Sequence, residues 1–206
     1  MDDYLIFMPE DHMDDLYNNK STFIRNFHNS RLDKIVDFLP KDKKFKILDA
    51  GCGEGHLLEK IKNKRYDELF GADIHIVALK KARLRCPSAK ISKQDLTNLK
   101  YKDNFFDIII CSGVIEHIPK YKEAIEEMKR VLRPGGSLII SIPNEPLWTI
   151  CRFILGRKPA KIPDHINSFT PRTLGKEVKL KTTKKKFLPL DLAFGICLEG
   201  IIFYKK

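Results

Sequence analysis

From residue 45 onward, short apolar runs alternate with stretches whose apolar residues recur at helical spacing. That alternation predicts a parallel sheet covered by helices on both faces. Strands are expected at Phe45–Asp49, Glu68–Asp73, Ala89–Lys93, Phe106–Cys111 and Ser137–Pro143, with helices between them near 55–64, 75–85, 95–98 and 119–132. The turn Arg133-Pro134-Gly135-Gly136 stops the last helix and feeds the fifth strand. Upstream, residues 12–39 carry a helical stripe (Phe23, Phe27, Leu32, Ile35, Val36, Leu39) that ends at Pro40. Downstream the period changes. Lys185–Leu192 and Gly200–Tyr204 read as strands joined without a helix, hence antiparallel. The long mixed segment 144–180 would lie above the carboxyl ends of the strands, as a lid. With no repeat or boundary-type linker, the chain reads as one α/β domain, 1–206. Its parts are a helical segment 1–44, a core 45–143, a lid 144–184 and a terminal hairpin 185–206.

The densest chemical signal is Asp49-Ala50-Gly51-Cys52-Gly53-Glu54-Gly55, at the carboxyl end of the first strand and the start of a helix. A backbone without Cβ atoms lets a ligand approach closely, beside a helix N-terminus. Two familiar ligand classes do not fit. A dinucleotide fingerprint needs glycine where His56 stands, and a P-loop needs a Gly-Lys-Ser/Thr ending. Asp73 closes the second strand, where a carboxylate accepts hydrogen bonds from ribose hydroxyls or caps a helix. Asp95, in Gln94-Asp95-Leu96 after the third strand, has the same two readings: ligand contact or cap for a short helix at 96–98.

The pattern D-x-G-x-G-x-G resembles motif I of the class I methyltransferases that use S-adenosylmethionine. The run Ile110-Cys111-Ser112-Gly113-Val114-Ile115-Glu116-His117-Ile118 and Leu132-Arg133-Pro134-Gly135-Gly136 are similar to segments of the ubiquinone- and menaquinone-biosynthesis type. His165-Ile166-Asn167-Ser168-Phe169-Thr170-Pro171 resembles the lid element H-x-x-x-F-T-P of small-molecule members. The lysine-rich 176–186 departs from the family by lacking its Gly-Phe entry to the sixth strand. The resemblance implies a Rossmann-like seven-stranded sheet in the order 3-2-1-4-5-7-6. It also implies S-adenosyl-L-methionine as cofactor and S-adenosyl-L-homocysteine as product; the scattered cysteines offer no zinc site, and no metal is expected. Carried onto this chain, the cofactor residues would be Asp49, Gly51, Cys52, Gly53, Gly55, Asp73, Ile74, Asp95, Leu96 and Ser112. Arg31 reads as a surface arginine or, as in some relatives, a partner of the methionine carboxylate. His117 and His165 are candidate general bases, since imidazole titrates near neutrality; otherwise they are a structural histidine and a loop histidine.

Composition narrows the acceptor. The net charge is +11, but 28 lysines against 10 arginines, spread along the chain, argue for solvated faces over a nucleic-acid reader. Two denser basic stretches, Arg152–Lys161 and Lys179–Lys186, leave polyanion binding open. The slot after the fourth strand holds Cys-Ser-Gly-Val, not the (D/N/S)-P-P-(Y/F/W) of enzymes that methylate exocyclic amines, and there is no Pro-Cys nucleophile for cytosine C5. Five separated cysteines (52, 86, 111, 151, 197), no basic-then-apolar leader and no apolar run long enough to span a bilayer predict a cytoplasmic protein. The expectation is methyl transfer to a small molecule, at oxygen before nitrogen or carbon. The rivals are an RNA- or protein-directed methyltransferase and a non-catalytic cofactor-binding regulator.

Overall fold

The computed structural model describes residues 22–40, 44–62, 68–143, 165–191 and 196–205, with residues 18, 20, 149, 150 and 153 besides. Seven strands form one sheet in the order β3-β2-β1-β4-β5-β7-β6. They are β1 (Lys46–Ala50), β2 (Glu68–Asp73), β3 (Lys90–Lys93), β4 (Phe106–Ser112), β5 (Leu132–Pro143), β6 (Lys181–Asp191) and β7 (Ile196–Tyr204). The first five pair in parallel, while β7 runs antiparallel to both β5 and β6. Strand order reverses between β1 and β4, and it is at the carboxyl ends flanking such a reversal that open α/β sheets bind ligands.

Continuous apolar runs mark the central strands because both of their faces are covered. On one face, Ile47, Ile108, Ile110 and Ile139 pack with Leu32, Ile35 and Val36 of α1 (Thr22–Asp37). The same cluster holds Leu57, Leu58 and Ile61 of α2 (His56–Lys62) and Leu79 of α3 (Ile76–Arg85). On the other face, Leu48, Ala50, Ile109, Cys111, Leu138 and Ile140 pack with Ala124, Ile125, Met128 and Val131 of α4 (Tyr121–Val131). Leu174 and Val178 of α5 (Pro171–Val178) join that side. The start of α5 is set by Thr170, whose hydroxyl accepts from the Thr173 amide in a capping box with Pro171 at the first turn.

Four local expectations need correction. Residues 96–98 form a turn, not a helix, because Asp95 Oδ1 accepts from both the amide and the hydroxyl of Thr97, at 2.8 Å each. Such a side-chain-to-backbone bond offers the chain an alternative to a helix. The Arg133–Gly136 turn is a bulge within β5: Phe106 pairs with Leu132 and Ile108 with Ser137. β6 begins at Lys181, inside the expected lid, and β7 at Ile196, so the tail strands are longer than read. Of the N-terminal stripe, α1 covers Thr22–Asp37. The basic stretch 152–161 lies, Phe153 apart, outside the described residues. Most of Lys179–Lys186 belongs to β6, the edge strand, where lysine discourages further strand pairing.

Lys205 closes the structure at the bulge. Its backbone pairs with Gly135 and Gly136, and its Nζ donates to the carbonyls of Lys129 and Leu132 and to Asn104 Oδ1, at 2.7–2.9 Å. A cation among the last carbonyls of α4 is favourably placed against the helix dipole. Lys205→Met should therefore lower unfolding free energy by about 1–2 kcal/mol, read from urea melts. An unchanged midpoint would assign these bonds no net value.

Candidate active site

The turn after β1 is held from two sides. The amides of Gly51 and Cys52 both donate to the Ala72 carbonyl, at 2.7 and 3.0 Å. Asp73 then bridges outward: Oδ2 accepts from the Gly53 amide at 2.8 Å and Oδ1 from the His75 amide at 2.9 Å. A carboxylate has about four acceptor positions, so two remain for a ligand. From below, buried Glu54 takes Lys81 Nζ at 3.0 Å and lies 3.4 Å from His56 Nε2, while its carbonyl accepts from Arg85 Nε. Sequence reading missed Glu54; the available signal was an acidic residue between glycines, facing a basic helix.

The three motif glycines differ in purpose. All have positive φ, +82°, +48° and +83° for Gly51, Gly53 and Gly55. A Cβ on Gly51 would fall 2.4 Å from Val114, and one on Gly55 would fall 3.0 Å from Ala82, so these two make room for the protein itself. Of the three, Gly53 alone has no atom of the described residues within 4 Å of such a Cβ. The expectation that all three clear a path for a ligand is thus corrected to one. Cys52 is likewise turned inward: its Sγ would meet a Cβ on Gly71 at 2.9 Å, and burial pushes the thiol's pKa up. Only its backbone faces the turn. Leu96 is buried in the core as well, whereas Asp95 and Ile74 are exposed beside the crevice.

A polar row crosses the carboxyl ends of the three central strands. Asp49, Ser112 and Ser141 share strand parity with Ile47, Ile110 and Ile139, which places them on the α1 face. Asp49 Oδ2, Ser112 Oγ and Ser141 Oγ are buried and, among the described residues, make no hydrogen bond. Buried polar atoms of this kind point to a missing partner. Arg31 is not a surface residue: it is 8% exposed, and Nη1 would lie 3.4 Å from a Cβ on Gly113. Burial first, then the Asp73 charge, push the Asp49 carboxyl up to about 8, with Arg31 pulling the other way. The residues fit a ligand that brings a cation to Asp49 and accepts donors from the serines.

Across the crevice, the β4 end continues through Gly113, whose amide donates to the Ser141 carbonyl, into a 3₁₀ turn at Ile115–His117. Asn167 pins the lid segment to that turn. Its amide donates to Glu116 O at 3.0 Å and its Nδ2 to Ile118 O at 2.7 Å. The result brings the His117 and His165 rings together, centroids 4.9 Å apart and nearly perpendicular. His165 is buried, not an exposed loop residue. Glu116, 2% exposed, completes the cluster. Of the expected site residues, Asp49, Gly53, Asp73, Ser112, Arg31, His117 and His165 lie about the carboxyl ends of the central strands with Ser141, Glu54, Glu116 and Asn167, whereas the Leu96 and Cys52 side chains turn into the core.

Residues 48–140 match the methyltransferase domain family. The Alkalilimnicola ehrlichii ubiquinone biosynthesis O-methyltransferase is 32% identical over 131 residues, covering 61% of this chain and 53% of that protein. A Bos taurus protein described as a probable tRNA methyltransferase 9B is 30% identical over 146 residues, covering 69% of this chain and 31% of that one. Among solved structures, a SAM-dependent methyltransferase of Thermotoga maritima has a TM-score of 0.71 at 18% identity, covering 95% of this chain and 100% of that one. The chain spans 38–57% of the length of the first curated relatives it matches.

The Asp49 shift has a consequence for stability. A carboxyl that binds its proton more tightly folded than unfolded stabilises the fold at low pH, and that contribution is lost as pH rises from about 4 towards the folded value of about 8. Asp49→Asn, which mimics the neutral form, should flatten the fall in melting temperature between pH 5 and pH 8.5. An identical pH profile in the variant would contradict the assignment.

Proposed function

The chain belongs to the class I superfamily of S-adenosylmethionine-dependent methyltransferases, and from that premise we propose that it transfers the cofactor's methyl group to a hydroxyl of a small organic molecule. The observation that supports this reading is the clear backbone position at Gly53, whose amide is held by the Asp73 carboxylate, on a turn that follows the buried Asp49. The cofactor supplies an electrophilic methyl on a sulfonium, and the protein's part is to position the two reactants. Asp49 would receive the cofactor's ammonium group, Arg31 and Ser112 its carboxylate, and Asp73 its ribose hydroxyls. Gly51, Gly53, Gly55 and Cys52 would offer backbone, Ile74 an apolar contact for the adenine, and Asp95 with the Leu96 amide its polar edge. We read the whole chain as one domain whose segment 144–184 roofs the acceptor and whose terminal hairpin completes the sheet.

His117 and His165 are our candidates for activating the hydroxyl, as general bases at the acceptor end of the crevice. The O-methyltransferase relative supports oxygen as the methylated atom. Among the described residues no helix is long and apolar enough to cross a membrane. A second reading, methylation of RNA, is favoured by the net charge of +11 and by the relative described as a tRNA methyltransferase. Against it stand the dominance of lysine and the absence of a base-methylating motif after β4. Phosphate-driven binding weakens steeply with salt. RNA binding by this chain should accordingly be non-specific and lost near physiological salt; submicromolar, salt-resistant binding to one RNA, with methyl label in it, would favour the second reading.

Calorimetry should show one cofactor site per chain. Gly53→Val should abolish it by filling the open space and straining a left-handed residue, and Asp73→Ala should weaken it by about 1–3 kcal/mol. Unchanged affinity in both folded variants would remove the site. His117→Ala and His165→Ala should lower turnover by about 10²-fold or more with cofactor affinity nearly intact. Full rate in both would leave positioning alone to account for catalysis.

A further inference from the structure

We propose that Glu116, His117 and His165 form a binding site for a divalent transition-metal ion, zinc by preference, at the acceptor side of the crevice. One potential ligand atom from each residue lies within 4.8 Å of the other two. Two imidazoles and one carboxylate suit zinc and its first-row neighbours; magnesium and calcium prefer all-oxygen sets. A tetrahedral ion with bonds of about 2.1 Å holds its donors roughly 3.4 Å apart, so the three must draw in by up to about 1.4 Å.

The backbone behind the donors is already fixed. Glu116 and His117 sit on the 3₁₀ turn after β4, and His165 reaches them because Asn167 bonds to three carbonyls of that turn and its exit, Ile115, Glu116 and Ile118. Glu116 and His165 are both more than nine-tenths buried, so the carboxylate is shielded from solvent and its negative charge favours a cation. Arg31 opposes this: its Nη1 and Glu116 Oε1 border the same space over Gly113, 3.4 and 3.8 Å from a Cβ there. The charge of Arg31 should moderate affinity for the ion.

Three protein ligands leave a coordination position open, the arrangement of catalytic metal sites. The role assigned to the ion rests on the methyl-transfer reading; its binding does not. An acceptor hydroxyl on the ion would lose its proton to water at lower pH than in bulk. The resulting oxygen forms a bond to the methyl carbon as the carbon–sulfur bond breaks, and the electron pair leaves on sulfur, converting the sulfonium to a neutral thioether. The histidines then act as ligands, and a free imidazole base is not required.

The full chain, stripped with chelator and free of cofactor and acceptor, would be titrated calorimetrically with zinc chloride, and cobalt(II) loading followed by visible absorption. One zinc per chain is expected, with at least tenfold weaker binding in His165→Ala and His117→Ala and loss of the cobalt bands. His165→Asn, which keeps polar bulk, and thermal melts would separate ligand loss from misfolding. Absence of stoichiometric zinc binding, or wild-type affinity in both histidine variants, would overturn the site. Methyl transfer that persists in excess chelator would then leave the functional reading standing with an imidazole base.

Discussion

One carboxylate determines the shape of the crevice. Asp73 receives the amides of Gly53 and His75, and so joins the end of β2 to the turn after β1 and to the entry of α3. Hydrogen bonds to an ionised acceptor are among the stronger ones available to a backbone. Gly53 can answer because its left-handed backbone turns the amide inward while leaving the space above it clear. Glu54, locked by Lys81 and Arg85, holds the same turn from beneath. The turn is therefore set before a ligand arrives, which spares the ordering cost of binding.

That rigidity comes with an electrostatic conflict. Asp49 is buried, and burial with the neighbouring Asp73 charge pushes its carboxyl up to about 8, offset in part by Arg31. Ser112 and Ser141 leave hydroxyls unpartnered on the same face. A ligand carrying both a cation and hydrogen-bonding oxygens would relieve both costs at once. Buried polar groups left unsatisfied reduce stability, and proteins accept such losses at functional sites.

Much of the fold was legible because β1, β2, β4 and β5 carry apolar runs buried on both faces, while the short β3, Lys90–Lys93, is only half-buried. Asp49 and Asp73, with the glycines between them, pointed to the carboxyl ends of β1 and β2, beside the point where strand order reverses. What sequence did not disclose depends on packing. Whether a glycine yields to a ligand or to Val114 or Ala82 is a tertiary fact. Arg31 lies on a helix whose sparse apolar stripe gave no sign that it would be covered. The helix expected at 96–98 gave way to the Asp95–Thr97 bond, a competition that propensity alone does not resolve. His117 and His165 were each visible as chemistry, but their meeting depends on Asn167, which no spacing rule singles out.

The central claim is that this crevice delivers a methyl group to a small molecule. Incubating the chain with methyl-labelled S-adenosylmethionine and a fractionated cell extract tests it most directly. The account predicts label in the low-molecular-weight organic fraction, dependent on an intact Gly53. Label confined to RNA or protein, or no transfer to any fraction despite tight cofactor binding, would contradict it.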